Sequence, residues 1–289
     1  MTNASALTAL QSLNTTNKNL EMTQSRISTG YRVATASDNA AYWSIATTMR
    51  SDKSSLSVVQ DALGLGAGKA DTAYSALEKT LARVNEIKDK LVAATGASDS
   101  DKAKIQTQIT SLQLQLKMGA DGATFSGSNW LSLNTTTGTA AVGVADVAKI
   151  VAAFTRSSAG TISLQTIDVN VQSVKLYEAY ASATEVQKGI IDGLRLATTG
   201  ARSITATATT ANAASVATDG YRVSTLTVVG YNDRQIAEML NVVDVASREL
   251  TDAATTLGAA KTRIDLQKSA TSTLMDLSLI HISEPTRPY

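Results

Sequence analysis

The chain has 289 residues, a net charge of +1 and 26 basic side chains interspersed with 25 acidic ones, which does not favour binding to nucleic acid or to an anionic membrane surface. Apolar residues make up 43% of the chain but aromatic residues only 4%, which favours helices packed closely through Ala, Leu, Ile and Val. Cysteine is absent, which excludes disulfides, thiolate catalysis and cysteine metal sites. No apolar run approaches the roughly eighteen residues of a membrane-spanning helix, so membrane insertion is not expected.

Residues 1–29 are predicted to form a first helix, which ends where Gly30 adopts a left-handed conformation. One stripe of this helix is apolar except for two amide side chains. Polar layers of this kind fix the register and the number of partner helices at a cost in stability. We call this stripe the N-terminal seam; it consists of Leu10, Leu13, Asn17, Leu20, Gln24 and Ile27.

A second helix is predicted from a cap at Ser37 or Asp38 to about Thr95, where a Gly-Ala-Ser-Asp stretch ends it. It carries a heptad stripe over residues 45–91, and a matching stripe recurs at 236–264 within a helix expected over 232–276. Heptads of this length specify long helices that bury one narrow face against each other. We call these positions the rod seam; they are Ile45, Met49, Leu56, Val59, Leu63, Leu77, Val84, Ile87, Leu91, Ile236, Leu240, Val243, Leu250, Leu257 and Ile264.

The segment between the two stripes changes character after its first part. A third helix is expected over roughly 100–118, followed by a hairpin between Phe125 and Trp130. Beyond residue 134 Thr, Ser, Ala and Gly dominate. The alternation around 167–171 predicts a strand, and Tyr221–Val229 is a second candidate; short helices are expected at 146–154 and 182–197.

The predicted fold is therefore mainly α. The N- and C-terminal parts form a long coiled-coil or helical-bundle rod, and a small α+β domain is inserted in the middle. The expected boundaries are a first helix at 1–34, the helical rod and hairpin at 35–133, a variable surface domain at 134–230 and a returning helix at 231–276. Residues 277–289 form a separate tail.

Sites for chemistry are not evident in the sequence. The glycine-rich stretch from Gly64 to Lys69 lacks the first glycine of a phosphate loop, Ala70 replaces the required hydroxyl, and no strand precedes it. Small residues that let a helix seam approach closely explain it better. The one histidine, His281, provides no triad or zinc site, so we predict no catalytic, metal or cofactor residue. The hydroxyl-rich middle is typical of a solvated β surface, with glycosylation as the alternative.

The tail differs in composition from the rest of the chain. Both prolines and the histidine fall in the last nine residues, and the heptad pattern is lost after about Met275. Residues 279–289 (LIHISEPTRPY) resemble a translation of sequencing-adapter DNA. We expect the native reading frame to be cut near Asp276, so that 277–289 are artefactual; a natural disordered tail is the alternative.

Several segments resemble the bacterial flagellins, especially the short flagellins of rhizobium-like alphaproteobacteria. They are ALTALQSLN at 6–14, SRISTGYRVATASDNAAYWSIATTMRSD at 25–52, VQDALGLGAGKADTAYSAL at 59–77, ATFSGSNWL at 123–131 and ELTDAATTLGAAKTRIDLQKS at 249–269. The resemblance covers about 1–133 and 231–276. The middle is the part that varies within this family.

The resemblance implies a secreted, extracellular subunit of the flagellar filament that serves motility, without enzymatic activity or cofactor. Its implied partners are other flagellin subunits, the flagellar type III export apparatus, a flagellin chaperone, the filament cap and the hook-associated proteins. From the polar residues that interrupt the N-terminal apolar stretch we expect no cleavable signal sequence, which would be consistent with that route. In the family, the terminal helices pair in the inner core of the tube, the long helices form the outer core, and the inserted domain faces water.

Two departures from the family and three alternatives remain. First, we expect the family's C-terminal helix to be missing after Asp276. Second, Arg83 and Glu86 match receptor-facing residues of the family's Toll-like-receptor contact helix, but the neighbouring Ala82 and Asn85 differ from the family's residues there. The nearest alternative is the hook–filament junction protein of the same superfamily, against which the unbroken segments at 37–52 and 63–74 argue. A flagellin with a metalloprotease domain would need an HExxH motif, which is absent. An unrelated coiled-coil adhesin is the third alternative.

Overall fold

The computed structural model describes residues 4–31, 33–133, 147–157, 160–179, 188–214 and 216–283, with side chains as far as Ser278. The chain divides into two compact units. Unit 1 comprises residues 1–61, 152–165 and 267–289, and unit 2 comprises 62–151 and 166–266. Four long helices account for most of the described chain, and short strands lie between the third and the fourth helix. The predicted fold class, mainly α with a small strand-containing middle region, is confirmed.

The first helix, α1 (Ala4–Thr29), ends as predicted at Gly30, whose φ is +70° and whose N–H donates to the Arg26 carbonyl. The predicted cap of the next helix is wrong. Helix α2 (Ala40–Ala94) begins after Asn39, whose side-chain oxygen accepts the Tyr42 N–H at 3.2 Å. Asp38 instead accepts N–H groups of the preceding loop, and its hydrogen bonds to Thr35 hold the pKa of its carboxyl below the ordinary value.

Helix α2 buries one stripe at heptad spacing because three- and four-residue steps return to the same face of a helix. It ends before Gly96, whose φ of +73° turns the chain into α3 (Asp99–Asp121). Ser98 caps α3 by accepting the Asp101 N–H. The last helix, α4 (Asp233–Ser283), extends beyond the predicted end at 276.

Polar contacts join the helices of unit 2 along their length. Lys88 of α2 pairs with Asp244 of α4 at 2.6 Å, and Asp71 pairs with Lys261 at the same distance. Arg83 of α2 donates to Gln115 of α3 at 3.0 Å. These contacts flank the buried apolar stripes, which provide the hydrophobic core of the unit.

The predicted hairpin is present as β1 (Thr124–Phe125) and β2 (Ser128–Asn129), which pair antiparallel across a turn at Ser126 and Gly127. Both turn residues have positive φ, which matches the twist of paired strands. Strand β3 (Ser132–Leu133) pairs parallel with β6 (Tyr177–Glu178), and β4 (Val147–Arg156) pairs with β5 (Ile162–Asn170). A last sheet has the order β7 (Arg195–Leu196), β9 (Asp219–Tyr221), β8 (Thr207–Ala208).

Three predictions for the middle region are wrong, and the strand over 167–171 is confirmed only as far as Asn170. Residues 147–156 form strand β4, because pairing with β5 determines their conformation. Residues 188–197 contain turns and β7 but no helix; the rest of that predicted helix lies outside the described residues. The strand expected over Tyr221–Val229 stops at Tyr221, because the Val223 and Leu226 carbonyls accept hydrogen bonds from Gln113 of α3.

Candidate assembly surfaces

The N-terminal seam lies on the surface. Between Ala4 and Thr29 no side chain of α1 is buried, and Leu10, Leu13, Leu20 and Ile27 are each more than half exposed. Asn17 and Gln24 are exposed beside them. Exposed leucines that repeat along one helix face form an apolar stripe, and such stripes mark surfaces that are covered by a partner.

The α2 part of the rod seam is buried from Leu56 to Leu91, and the buried positions of α2 over that range are those of the heptad stripe. Its first two members differ from the expectation. Ile45 is 58% exposed and Met49 is half-buried. Asp52, on the same stripe, accepts two hydrogen bonds from Arg156 of β4.

The α4 part of the rod seam is buried at five of its six positions, with one local shift. Leu240 is half-buried, and its neighbour Met239 is buried instead. The shift occurs near the start of α4, where the helix buries residues on two adjacent faces and Gln235 is fully buried as well. The five buried positions are Ile236, Val243, Leu250, Leu257 and Ile264.

The glycine-rich stretch of α2 packs against a strand and a hairpin. A Cβ added at Gly66 would lie 2.5 Å from Ile150 Cγ2 of β4, and one added at Gly68 would lie 2.5 Å from Phe125 Cζ of the β1–β2 hairpin. The predicted close approach therefore occurs, but its partners are a strand and a hairpin instead of a second helix. Periodicity along α2 alone could not identify these partners, which lie 57 to 84 residues away along the chain.

The two residues that the resemblance marks as receptor-facing differ in their surroundings. Arg83 is half-buried, bonds to Gln115 and lines a groove of about 680 Å³ between α2 and α3. Glu86 is exposed. The groove also contains Lys79 and Met118. Glu86 is therefore the more exposed of the two.

A row of polar residues along α4, which sequence analysis missed, binds the middle region. Gln235 donates to the Thr210 carbonyl at 2.9 Å, Glu238 accepts from the Tyr221 hydroxyl at 3.0 Å, and Asn241 donates to the Ala197 carbonyl at 2.8 Å. Glu249 ends the row by accepting two hydrogen bonds from Arg195. We call Gln235, Glu238, Asn241 and Glu249 the polar row.

The ion pair at the end of this row is the most buried charged contact that α4 makes with the middle region. Arg195 is fully buried and donates to both Glu249 oxygens, at 2.9 and 2.7 Å, and to the carbonyls of Ile190 and Gly200. Burial alone would raise the pKa of Glu249, but the hydrogen bonds and charge of Arg195, with the charge of Arg202, outweigh burial and lower it.

The described residues form neither a metal site nor a membrane-spanning helix. Within the described ranges, no three acidic, histidine or cysteine side chains come together as metal ligands could. Of the helices described, none combines the length and the apolar character that crossing a membrane requires.

Comparison with known proteins is consistent with these helices and seams. Residues 1–136 match the model of the bacterial flagellin N-terminal helical region. Flagellin C of Rhizobium meliloti (strain 1021) is 43% identical over 287 residues, which cover 96% of this chain and 83% of that protein. Flagellin D of the same strain is 54% identical over 169 residues, and flagellin of Brucella melitensis is 59% identical over 136 residues. These two alignments cover 58% and 47% of this chain, and 40% and 48% of the respective relatives.

The chain is thus a structural protein built from long helices with apolar seams. It belongs to the bacterial flagellin family. As a flagellin of the alphaproteobacterial kind, it is a structural subunit of the extracellular flagellar filament, polymerises with copies of itself and is not an enzyme.

Proposed function

We propose that the chain enters the filament through its N-terminal seam. The observation that carries this proposal is the full exposure of α1, whose apolar stripe has no partner within the described residues. Burying an exposed leucine contributes roughly 1.5–3 kcal/mol, so the leucines at positions 10, 13 and 20 together supply a substantial driving force for association. The amide groups of Asn17 and Gln24 would then fix the register of the contact.

Four segments of the chain would have different positions in the filament. Residues 1–34 would form the inner-core helix, and residues 35–133 and 231–276 would form the outer core through the rod seam. Residues 134–230 would face water on the filament surface. The burial of the rod seam within the chain supports this division, because a helix pair whose stripe is already covered offers its remaining faces to neighbours.

The route to the filament would involve further partners. We propose that the chain passes unfolded through the flagellar type III export channel, is kept unfolded in the cell by a flagellin chaperone, and folds beneath the filament cap. Hook-associated proteins would join the filament to the hook. Membership in the flagellin family supports this route, as does the marginal stability expected for an isolated helix the length of α1.

We propose further that residues 277–289 are not native. The support is compositional: both prolines and the only histidine of the chain lie there, and the rod-seam pattern does not continue into it. Sequencing the genomic DNA downstream of codon 276 tests this directly. A coding frame that continues as LSLIHISEPTRPY would refute it.

Seeded polymerisation tests the assembly surface. The protein carrying its natural C-terminal sequence should elongate on flagellar fragments, and Leu13→Asp should abolish elongation because it places a charge in an apolar contact. Thr15→Asp is the matched control, since Thr15 lies on the opposite face of α1 and is also exposed. Light scattering and electron microscopy report elongation. Equal elongation by both variants would show that the N-terminal seam is not the assembly surface.

A further inference from the structure

The polar row of α4 contacts both the backbone and the side chains of the middle region: Gln235 and Asn241 bond to main-chain groups, whereas Glu238 and Glu249 accept from side chains. Its members recur every three to eight residues, which places them on one side of the helix, next to the buried seam. They contact three separate stretches: 195–198, 210–212 and Tyr221. Val245 lies between them and would meet a Cβ at Gly200 at 2.5 Å, so the chain passes very close to the helix there.

Arg195 adds a buried ion pair to these hydrogen bonds. Its guanidinium is fully buried, and both oxygens of Glu249 accept from it. A guanidinium stays protonated at any ordinary pH, so without Glu249 it would be a buried charge without a counter-ion. The buried charge in the turn from 190 to 202 is therefore compensated by a residue of α4.

The other edge of the same region is attached to α3. Gln106 donates to the Leu226 carbonyl and accepts the Val228 N–H at 2.8 Å, and Gln113 donates to the carbonyls of Val223 and Leu226. Residues 188–228 thus depend on two helices of the same unit for hydrogen bonds that an isolated insert would leave to water.

We propose that residues 188–228 fold only on α3 and α4, so that unit 2 opens and closes as one cooperative body rather than as a helical part with an autonomous insert. One consequence rests on the proposed export route: the middle region would remain unfolded until the α4 residues 235–249 have left the channel, even where the sequence before them has already emerged. The middle region would then fold only after the helices that support it have been exported.

Hydrogen exchange of the purified chain at neutral pH and low denaturant tests this proposal. The variant Glu249→Gln removes the counter-ion of Arg195, and Asp252→Asn, an exposed site on the same helix, is the matched control. Two reporters are compared: residues 195–202, which contact Glu249, and residues 84–91 of α2. We expect Glu249→Gln to raise exchange at least tenfold, and by the same factor, in both reporters, with no change in Asp252→Asn.

Faster exchange in 195–202 alone would overturn the proposal, because it would show an insert that opens independently; so would unchanged exchange in both reporters. Loss of all protection from exchange in both reporters supports the proposal. The variant Asn241→Ala removes two hydrogen bonds without leaving a charge unpaired, so it repeats the comparison with a smaller change in exchange rate. These measurements use the monomer. A failure of filament assembly would not affect their outcome, so the proposal on cooperative folding and the proposal on assembly are tested independently.

Discussion

Three glycines at alternate positions of α2 provide a graded test of how tightly the strands pack on this helix. Among the residues described, a Cβ at Gly64 would meet nothing within 4 Å. One at Gly66 would lie 2.5, 3.0 and 3.1 Å from three carbons of Ile150, which is buried in β4. One at Gly68 would meet the ring of Phe125, which is 36% exposed.

Replacement by alanine should therefore change stability in a fixed order. Within a helix, Gly→Ala gains about 0.8–1 kcal/mol, and Gly64→Ala should realise this gain in full. Overpacking typically costs about 1–3 kcal/mol, so Gly66→Ala should be less stable than Gly64→Ala by that amount. Gly68→Ala should fall between them, because an exposed ring can move away at small cost.

Urea unfolding followed by circular dichroism measures these differences. The double variant Gly66→Ala with Ile150→Ala completes the comparison. Without the Ile150 side-chain carbons, Gly66→Ala should no longer lower the free energy of unfolding by overpacking. This difference is measured as a coupling energy between the two sites. Equal stability of Gly64→Ala and Gly66→Ala, or a coupling energy near zero, would show that β4 does not pack on α2 as described.

Three further outcomes are expected. Leu63→Ala should lower the free energy of unfolding by about 2–5 kcal/mol, whereas Leu65→Ala, on the exposed face, should stay within about 0.5 kcal/mol; urea midpoints measure both. Folding lowers the pKa of Glu249, so the ionised carboxylate stabilises the folded state. This contribution to the free energy of unfolding is complete above the unfolded pKa of about 4.3 and is lost as the pH falls through the lower folded pKa. The urea midpoint should thus fall more steeply below pH 5 in the parent chain than in Glu249→Gln. On the monomer, amides of residues 6–27 should exchange fast and those of 56–91 slowly; slow exchange in both would reveal an intramolecular partner for α1.

The sequence was most informative where burial follows local periodicity. The heptad stripe of α2 coincides with its buried positions from Leu56 onward, because the spacing that defines the pattern also defines the face of the helix. The same reasoning placed Gly30 and Gly96 at helix ends, where both have positive φ. The hairpin between Phe125 and Trp130 was also predicted, and its turn residues, Ser126 and Gly127, have a backbone conformation that few residues tolerate.

The middle region could not be predicted in this way, because distant partners determine its conformation. Residues 147–156 read VAKIVAAFTR, a mixture that fits a short helix as well as a strand, and pairing with β5 decides between them. Arg195 and Glu249 are 54 residues apart, and nothing near either residue indicates the other. The spacing of seven between Gln106 and Gln113 was a visible signal on α3, but the carbonyls they bind were not.

The two seams show what an apolar stripe does and does not specify. Both have the spacing of a helix that packs on one side, yet the rod seam is largely buried by its own chain and the N-terminal seam is exposed. A stripe predicts that burial occurs, while the source of the partner depends on the rest of the assembly. For α1 that partner must lie outside the described residues, in another part of the protein or in another copy. Where it is another copy, the stability of α1 depends on the subunit concentration. A charge in the N-terminal seam should therefore abolish polymerisation and leave the free energy of unfolding of the monomer unchanged. A charge in the buried part of the rod seam should lower that free energy and abolish polymerisation as well.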